Sequence, residues 1–147
     1  LKFRLVSNLI EEMVDKALSG NGDEWKRLRG CMVVPVPLHV TRLRWRGFNQ
    51  AAEIGKVVAK KWGLEFREIL GRVRQTGQQV GKTREERLKN IKNAFGLKAQ
   101  GQLQERVLLV DDVWTSGATM REAAKTLKRG GVKQVWGLTL ARRVWLG

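Results

Sequence analysis

The thirteen residues from Val107 to Thr119 constrain this chain more than any other stretch in it. They read Val-Leu-Leu-Val-Asp-Asp-Val-Trp-Thr-Ser-Gly-Ala-Thr. Val107 to Val110 are continuously apolar, as in a strand covered on both faces. Two adjacent carboxylates, Asp111 and Asp112, end the run, and a loop of small and hydroxylated residues follows. Met120 to Arg129 then repeats at helical spacing, with Met120, Ala123, Ala124 and Leu127 on one face. Strand, acidic pair, small-residue loop, helix is the order of a phosphate-ester site beyond the C-terminal end of a parallel strand.

The chemistry of the stretch agrees with that order. Successive side chains on an extended chain point to opposite faces, so Asp111 and Asp112 need not share a task. A helix N-terminus offers free N–H groups and a partial positive charge to a phosphate. Gly117 lets the backbone come close to the anion, and the hydroxyls of Thr115, Ser116 and Thr119 add donors. The carboxylates suit ribose hydroxyls or a hydrated Mg2+, which takes oxygen ligands. A buried strand whose Asp residues merely cap the next helix would account for one carboxylate, and not for the hydroxyl-rich loop.

The rest of the chain reads in order as an α/β protein. A helix is expected over Asn8 to Leu18, with Leu9, Ile10, Met13, Val14, Ala17 and Leu18 on one face, an Asn8–Glu11 capping box and Gly20 as its stop. Asn21 to Gly30 reads as a polar connection with a short helical turn around Trp25. Cys31 to Val36 reads as a buried strand with Pro35 at its end, because proline cannot donate to a ladder. Pro37 then opens a loop that runs to Gln50 and gathers Arg42, Arg44 and Arg46 beside Gly47. The planar fork of arginine suits phosphate oxygens. A helix follows from about Asn49 to Trp62, with Ala51, Ala52, Ile54, Gly55, Val58 and Ala59 inward and Gly63 as its stop. Leu64 to Leu70 is expected to be a strand, and Gly71 to Thr83 a mobile loop able to close over a site. Arg84 to Ile91 reads as a short charged helix, Asn93 to Leu97 as a short apolar piece and Ala99 to Glu105 as a polar turn. Thr119 and Glu122 suggest a capping box for the next helix, which Gly130 and Gly131 end. Val132 to Ala141 is the last strand, with Arg142 and Arg143 on the ligand edge.

Composition narrows the class. With 42% hydrophobic residues in 147, the chain has the makings of one globular domain, residues 1–147. Lys and Arg number 29 against 14 Asp and Glu, a formal charge of +15. That suggests polyanionic partners, unless it is a habit of basic surfaces in the lineage. Trp45, between Arg44 and Arg46, is the aromatic residue most suited to a partner. The single histidine, His39, could serve as a general base but reads more readily as a structural residue. One cysteine, Cys31, excludes an internal disulfide and a cysteine-based zinc cluster. No apolar run reaches the ~20 residues of a membrane span, and no signal peptide is visible. A cytoplasmic protein is therefore expected. The start at Leu1-Lys2-Phe3-Arg4, without an initiator Met, suggests that a piece is missing from the N-terminus.

The central stretch resembles the 5-phosphoribosyl-1-pyrophosphate (PRPP) signature of type I phosphoribosyltransferases. The resemblance implies that the catalytic pair Asp111 and Asp112 contacts the ribose hydroxyls and holds Mg2+, in part through water. It implies that Val113, Thr115, Ser116, Gly117, Ala118 and Thr119 cradle the 5-phosphate. Three further groups of residues resemble the ComF family of competence-associated, phosphoribosyltransferase-like proteins. They are Val34-Pro35-Val36-Pro37-Leu38-His39, Arg46-Gly47-Phe48-Asn49-Gln50-Ala51, and Arg74, Thr76, Gln79, Arg87, Asn90, Ala94 and Phe95. This likeness spans about Leu1 to Arg143. It implies a type I phosphoribosyltransferase-like fold, a mostly parallel sheet flanked by helices with a small hood. It also implies a pyrophosphate loop at Arg42, Arg46 and Gly47, and a flexible loop contributing Arg74, Lys82 and Arg84. The cysteine-rich zinc module usual in the family is absent, so no zinc is expected in this chain.

The implied reaction is displacement of pyrophosphate from Mg2+-bound PRPP by a nitrogen nucleophile, driven by positioning and charge stabilisation. The implied partners are PRPP or a nucleotide, single-stranded DNA or DNA-uptake proteins, and a second copy in a homodimer. Two rival readings stand beside this one. Thr76 to Thr83 (Thr-Gly-Gln-Gln-Val-Gly-Lys-Thr) is one residue from a P-loop, which should follow directly on a buried strand. Alternatively, the fold is kept without the reaction, as a nucleic-acid-binding module whose arginines and Trp45 contact single strands.

Overall fold

The computed structural model describes residues 2–19, 26–73, 83–98 and 103–142. Its elements in chain order are α1 (Lys2–Ser19), β1 (Met32–Pro35), α2 (Val40–Arg46), α3 (Gln50–Trp62), β2 (Glu65–Phe66), β3 (Leu70–Arg72), α4 (Arg84–Ile91), β4 (Phe95–Leu97), β5 (Arg106–Trp114), α5 (Ala118–Arg129) and β6 (Gln134–Arg142). A four-stranded sheet runs in the order β2-β1-β5-β6 with every pairing parallel. Antiparallel β3 and β4 form a separate small sheet, which with α4 makes the hood.

The two-residue period of a strand sorts the core into two layers. Cys31 and Val33 of the β1 segment and Leu108 and Val110 of β5 turn to one face. There they meet Ile10 and Val14 of α1 and Ile54, Val58 and Ala59 of α3. Met32, Val34, Val107 and Leu109 turn to the other, against Met120, Ala123 and Leu127 of α5 and Leu70, Ile91 and Phe95 of the hood. Both faces of β1 and β5 are therefore buried, which is why both strands are continuous apolar runs.

Most elements stand where the sequence puts them. α3 is capped by Asn49 and closed by Gly63 in the left-handed conformation, and its buried residues are the six expected. Five local expectations are corrected. α1 begins at Lys2, so Asn8 lies inside it and does not cap it; Leu9 (57% exposed) and Met13 (42%) flank a narrower stripe that buries Ile10 and Val14. The stretch expected as a loop after Pro37 holds α2. A helix with no buried residue gives no periodic apolar signal, and this one is set by its caps. The strand expected over Leu64 to Leu70 is ordered as a strand only at Glu65–Phe66, where it pairs with β1. Ile69 and Leu70 instead turn into the hood core. Gly71 and Arg72, assigned to a mobile loop, pair with Gly96 and Phe95 in the hood sheet. The remainder of that loop, residues 74–82, lies outside the described residues, as do Trp25 itself and most of the Ala99–Glu105 turn, while one 3-10 turn spans residues 26–28 just after Trp25. The capping box expected from Thr119 and Glu122 does not form, as detailed below. No helix among the described residues is long and apolar enough to cross a membrane.

Candidate functional site

The sheet divides its connections between β1 and β5. The chain leaves β1 through α2 and α3 to reach β2 on one side, and leaves β5 through α5 to reach β6 on the other. α3 and α5 cover opposite faces, so a crevice opens beyond the C-terminal ends of β1 and β5. β1 stops at Pro35, in register with Val110, and Val36 donates one further hydrogen bond to the Val110 carbonyl at 2.8 Å. β5 does not stop there. It continues through Asp111, Asp112, Val113 and Trp114 with β6 alone beside it, pairing Asp111 with Thr139 and Trp114 with Arg142. The acidic pair thus belongs to the strand, at the point where the strand has lost one neighbour.

Strand alternation carries Asp111 to the hood face with Leu109, and Asp112 to the other. Each carboxylate is fixed by the next backbone amide: Asp112 N–H donates to Asp111 Oδ1 and Val113 N–H to Asp112 Oδ1, both at 2.9 Å. Partial burial pushes the Asp111 carboxyl up to about 7. The charge of Asp112 pushes the same way, while the amide of Asp112 and the charge of Arg72 oppose it. Each of these hard carboxylates suits a cation that takes oxygen ligands. No group of three or more His, Cys, Asp or Glu occurs among the described residues, so such a cation would need oxygens from water or a phosphate to complete its shell.

Beyond β5 the chain turns through Thr115, Ser116 and Gly117 into the twelve residues of α5. Gly117 is the N-cap at φ +74°. A Cβ there would stand 2.3 Å from the Trp114 ring, so both the backbone angle and the ring demand glycine. Ser116 Oγ accepts from the Ala118 N–H at 3.3 Å, and Arg121 clamps the Ser116 carbonyl at 2.6 Å. Gly117 supplies no side-chain cap, and the first turn carries no acidic residue. Thr119 lies inside the helix, half-buried, and Glu122 is not its capping partner. Glu122 is buried and accepts the Asn93 N–H at 2.9 Å, fixing the hood turn where Asn93 adopts φ +56°. Of the other residues expected here, Val113 (38% exposed) and Thr115 face solvent and Ala118 is buried.

The arginine-bearing segment rises from the same edge. His39 caps α2, its Nδ1 accepting the Thr41 N–H at 3.2 Å, which is the structural role expected of it. Gly47 closes α2 at φ +82°, its N–H reaching the Leu43 carbonyl. Asn49 ties the segment down twice: Nδ2 donates to the Val36 carbonyl at 3.0 Å while Oδ1 caps α3. Arg42, Arg44 and Arg46 are all exposed, and Arg46 donates to Gln50 at 2.7 Å. Trp45 is 85% exposed.

From the hood comes a residue that sequence reasoning missed. Arg72 ends β3 opposite Phe95, with its guanidinium 5.4 Å from the centre of that ring. Burial lowers its pKa, as does the charge of Arg42, while the charge of Asp111 raises it. The charges of Arg42 on α2 and Asp111 on β5 thus both bear on Arg72 of the hood. The apolar pair Ile69-Leu70 just ahead is too short a signal to carry a strand on to Arg72 without its antiparallel partner. Arg74 and Lys82 lie outside the described residues. Arg84 opens α4, and its side chain is also outside them. Arg142 ends β6 on the same edge, and Arg143 lies outside the described residues. Thr83, the last residue of the P-loop-like stretch, caps α4, and the strand ahead of that stretch belongs to the antiparallel hood and not to the parallel sheet. The P-loop reading lacks the buried parallel strand it needs. A cavity of about 210 Å3 lined by Leu28, Arg29, Trp62 and Leu64 opens at the opposite edge, ahead of β1 and β2, and takes no part in this arrangement.

Comparison with known proteins agrees with this geometry. A family model described as Phosphoribosyl transferase domain matches residues 49–143. Competence protein F of Haemophilus influenzae is 39% identical over 114 residues, 74% of this chain and 50% of the relative. Competence protein ComFC of Streptococcus pneumoniae is 33% identical over 120 residues, 82% of this chain and 52% of the relative. DNA utilization protein YhgH of Escherichia coli is 37% identical over 109 residues, 72% and 48% of the two chains. The chain spans about half the length of the curated relatives it matches. Among solved structures, the allosteric regulatory enzyme of purine biosynthesis superposes with a TM-score of 0.54 at 19% identity, over 92% of this chain and 25% of that one. The fold is type I phosphoribosyltransferase-like, as expected from the sequence.

Proposed function

Because this chain belongs to the ComF family of phosphoribosyl transferase domain proteins, we propose that it binds a phosphoribosyl ligand, PRPP or a close relative, at the crevice between β1 and β5. The observation that carries this reading is the pairing of an acidic strand end with a helix start left free of acid: Asp111 and Asp112 on β5, then Gly117 opening α5. Asp111 and Asp112 accept from ribose hydroxyls. The amides of residues 116–119, with the Thr115 and Ser116 hydroxyls, receive the 5-phosphate at the positive end of α5. Arg42, Arg46 and Gly47 meet the pyrophosphate, and Arg74, Lys82 and Arg84 close over it. Asp111 and Asp112 would also hold Mg2+, in part through water. When bound, Mg2+ would supply positive charge to the diphosphate. The transfer such a site serves is displacement of pyrophosphate by a nitrogen nucleophile, with orientation and charge as the protein's contribution. The relatives' names, Competence protein F, ComFC and DNA utilization protein, support a role in competence and the handling of incoming DNA.

Calorimetric titration of PRPP with Mg2+ tests the reading. Saturable binding is expected for the wild-type chain and at least about a hundredfold loss in the Asp111→Asn, Asp112→Asn double variant, two charge-assisted contacts being removed. Unchanged affinity in the double variant would sink the ribose assignment.

A second reading is favoured by one observation, the exposure of Trp45 between Arg44 and Arg46 on α2. Cations flanking an exposed indole suit single-stranded nucleic acid, through phosphate contact and base stacking. Replacing Arg42, Arg44 and Arg46 by alanine should then flatten the salt dependence of oligonucleotide binding. An unchanged slope would remove α2 from any such surface.

A further inference from the structure

We propose that the outer edge of β6 is a docking site for an extended protein segment in which apolar and acidic residues alternate, added to the sheet as a further strand.

β6 ends the sheet order β2-β1-β5-β6, so among the described residues only one of its two edges is paired. The register shows which groups the open edge presents. Val36 N–H donates to the Val110 carbonyl, so the Val110 backbone is directed at β1, and those of Leu109 and Asp111 at β6. Parallel pairing of Leu109 with Gly137 then sends the backbone of Trp136 and Leu138 to β5 and that of Gly137 outward. Gln134 N–H, which donates to the Glu105 carbonyl, keeps the same phase. The N–H and C=O groups of Val135, Gly137, Thr139 and Ala141 therefore line the outer edge. A long open edge is ordinarily blunted by charge or proline. β6 spans nine residues, carries no proline, and holds its one charge, Arg142, at its end.

The helices give this edge two unlike flanks. On one face Trp136 stands in register with Leu108, whose layer α1 covers with Ile10 and Val14. α1 packs against both α3 and β6. Its Asp15 pairs with Lys61 of α3, so helical spacing turns Leu9 and Met13 to the opposite flank, on the β6 side. Leu9, Met13 and Trp136 are all exposed. On the other face Val135 and Ala124 of α5 pack on the same core. Glu122 of α5 turns to the hood at Asn93, and Ala124, two residues on, lies on the opposite flank. Lys128 follows Ala124 after one turn and is exposed.

A strand added at this edge turns alternate side chains to the two faces. Those on the α1 face meet Leu9, Met13 and Trp136 and are apolar. Those on the α5 face come beside Lys128 and are acidic, in keeping with a chain of net charge +15. The same charge disfavours a second copy as the occupant. A closed pairing of two β6 edges is antiparallel about a two-fold axis, joins two chains of +15 each, and sets Arg142 of each at the Lys128 end of the other.

Fluorescence anisotropy of the wild-type chain with labelled synthetic peptides tests this, each nine residues long to match β6. The probes are alternating Val-Glu, alternating Val-Lys, a peptide with the Val and Glu residues in two blocks, and Val-Glu with every backbone amide methylated. Val-Glu should bind saturably and at least about tenfold more tightly than each of the others. Gly137→Pro removes one outward N–H and leaves the β5 ladder intact, and a Cβ there stands 3.5 Å from Met120, an ordinary contact. It should weaken Val-Glu at least about tenfold. Lys128→Glu should weaken it about threefold at low salt, a difference that high salt removes. Val-Glu binding that is absent, or no tighter than any one of the other peptides, overturns the proposal, as does an affinity unchanged by Gly137→Pro. No loss in Lys128→Glu overturns the acidic character of the partner. Should Gly137→Pro fail to fold, the methylated peptide, which cannot donate to β6, decides the question on the wild-type chain. Self-association in sedimentation without peptide binding would assign the edge to a second copy and overturn the acidic partner.

Discussion

The starts of α4 and α5 are built in opposite ways. α4 closes on itself: Thr83 accepts the Glu86 N–H, the Glu86 carboxylate accepts the Thr83 N–H, and Glu85 adds a second negative charge in the first turn. α5 begins with a bare glycine and no acid in its first turn. The one carboxylate within α5 itself, Glu122, is turned away to hold the hood at Asn93. A helix whose own side chains neutralise its amide end has little to offer an anion, whereas one that keeps acid out of its first turn at the edge of a parallel sheet, with only the Ser116 hydroxyl on one amide, does. The difference teaches that the site is made as much by withheld caps as by supplied ligands. The same polar residue types, Thr and Glu three apart, produce a closed end in one place and an open one in the other.

Three perturbations would break or sharpen this contrast. The largest effect should come from pH. The Asp111 carboxyl is raised from 3.8 to about 7, so the folded chain holds that proton more tightly than the unfolded chain does. Its contribution to stability is present below the unfolded value and is lost as pH rises through about 7, by up to about 4 kcal/mol at 1.36 kcal/mol per unit. Asp111→Asn should flatten that slope in denaturant unfolding from pH 4 to pH 8, while Thr83→Ala leaves it intact. A slope that persists in Asp111→Asn would move the strain elsewhere.

Next in size is Gly117→Ala. A left-handed backbone and a Cβ pressed into Trp114 should cost about 2–4 kcal/mol and displace the loop that opens α5. A midpoint shift of less than about 1 kcal/mol would show that the turn gives way freely. Smallest is Thr83→Ala, about 1 kcal/mol for a lost cap. It should leave phosphoribosyl binding unchanged. A comparable loss of ligand affinity there would make the closed end part of the site and erase the contrast.

How much of this was legible in sequence follows from which signals are local. The α3 boundaries and its six inward residues follow from Asn49, Gly63 and a 3.6-residue period, and the structure repeats them. The buried runs at β1 and β5 follow from unbroken apolar stretches, and the acidic pair from its place after one of them. α2 was not legible, because a seven-residue helix without a buried side chain leaves no periodic trace and depends on His39 and Gly47 at its ends. Arg72 was not legible because its role depends on three elements far apart in sequence. The short hood strand that holds it looks like loop until its antiparallel partner, Phe95–Leu97, is known.

The sequence by itself determined the parallel α/β class, the strand–acid–loop–helix order and the glycine at the turn, since each is written in neighbouring residues and in the periods of strand and helix. Only the tertiary structure decided which carboxylate is strained, which helix start stays free of acid and which arginine's charge bears on Asp111. Those outcomes turn on what packs beside a group, the hood against β5 and Asn93 against Glu122, and burial and long-range charge are properties of the assembled neighbourhood and not of the chain's local order.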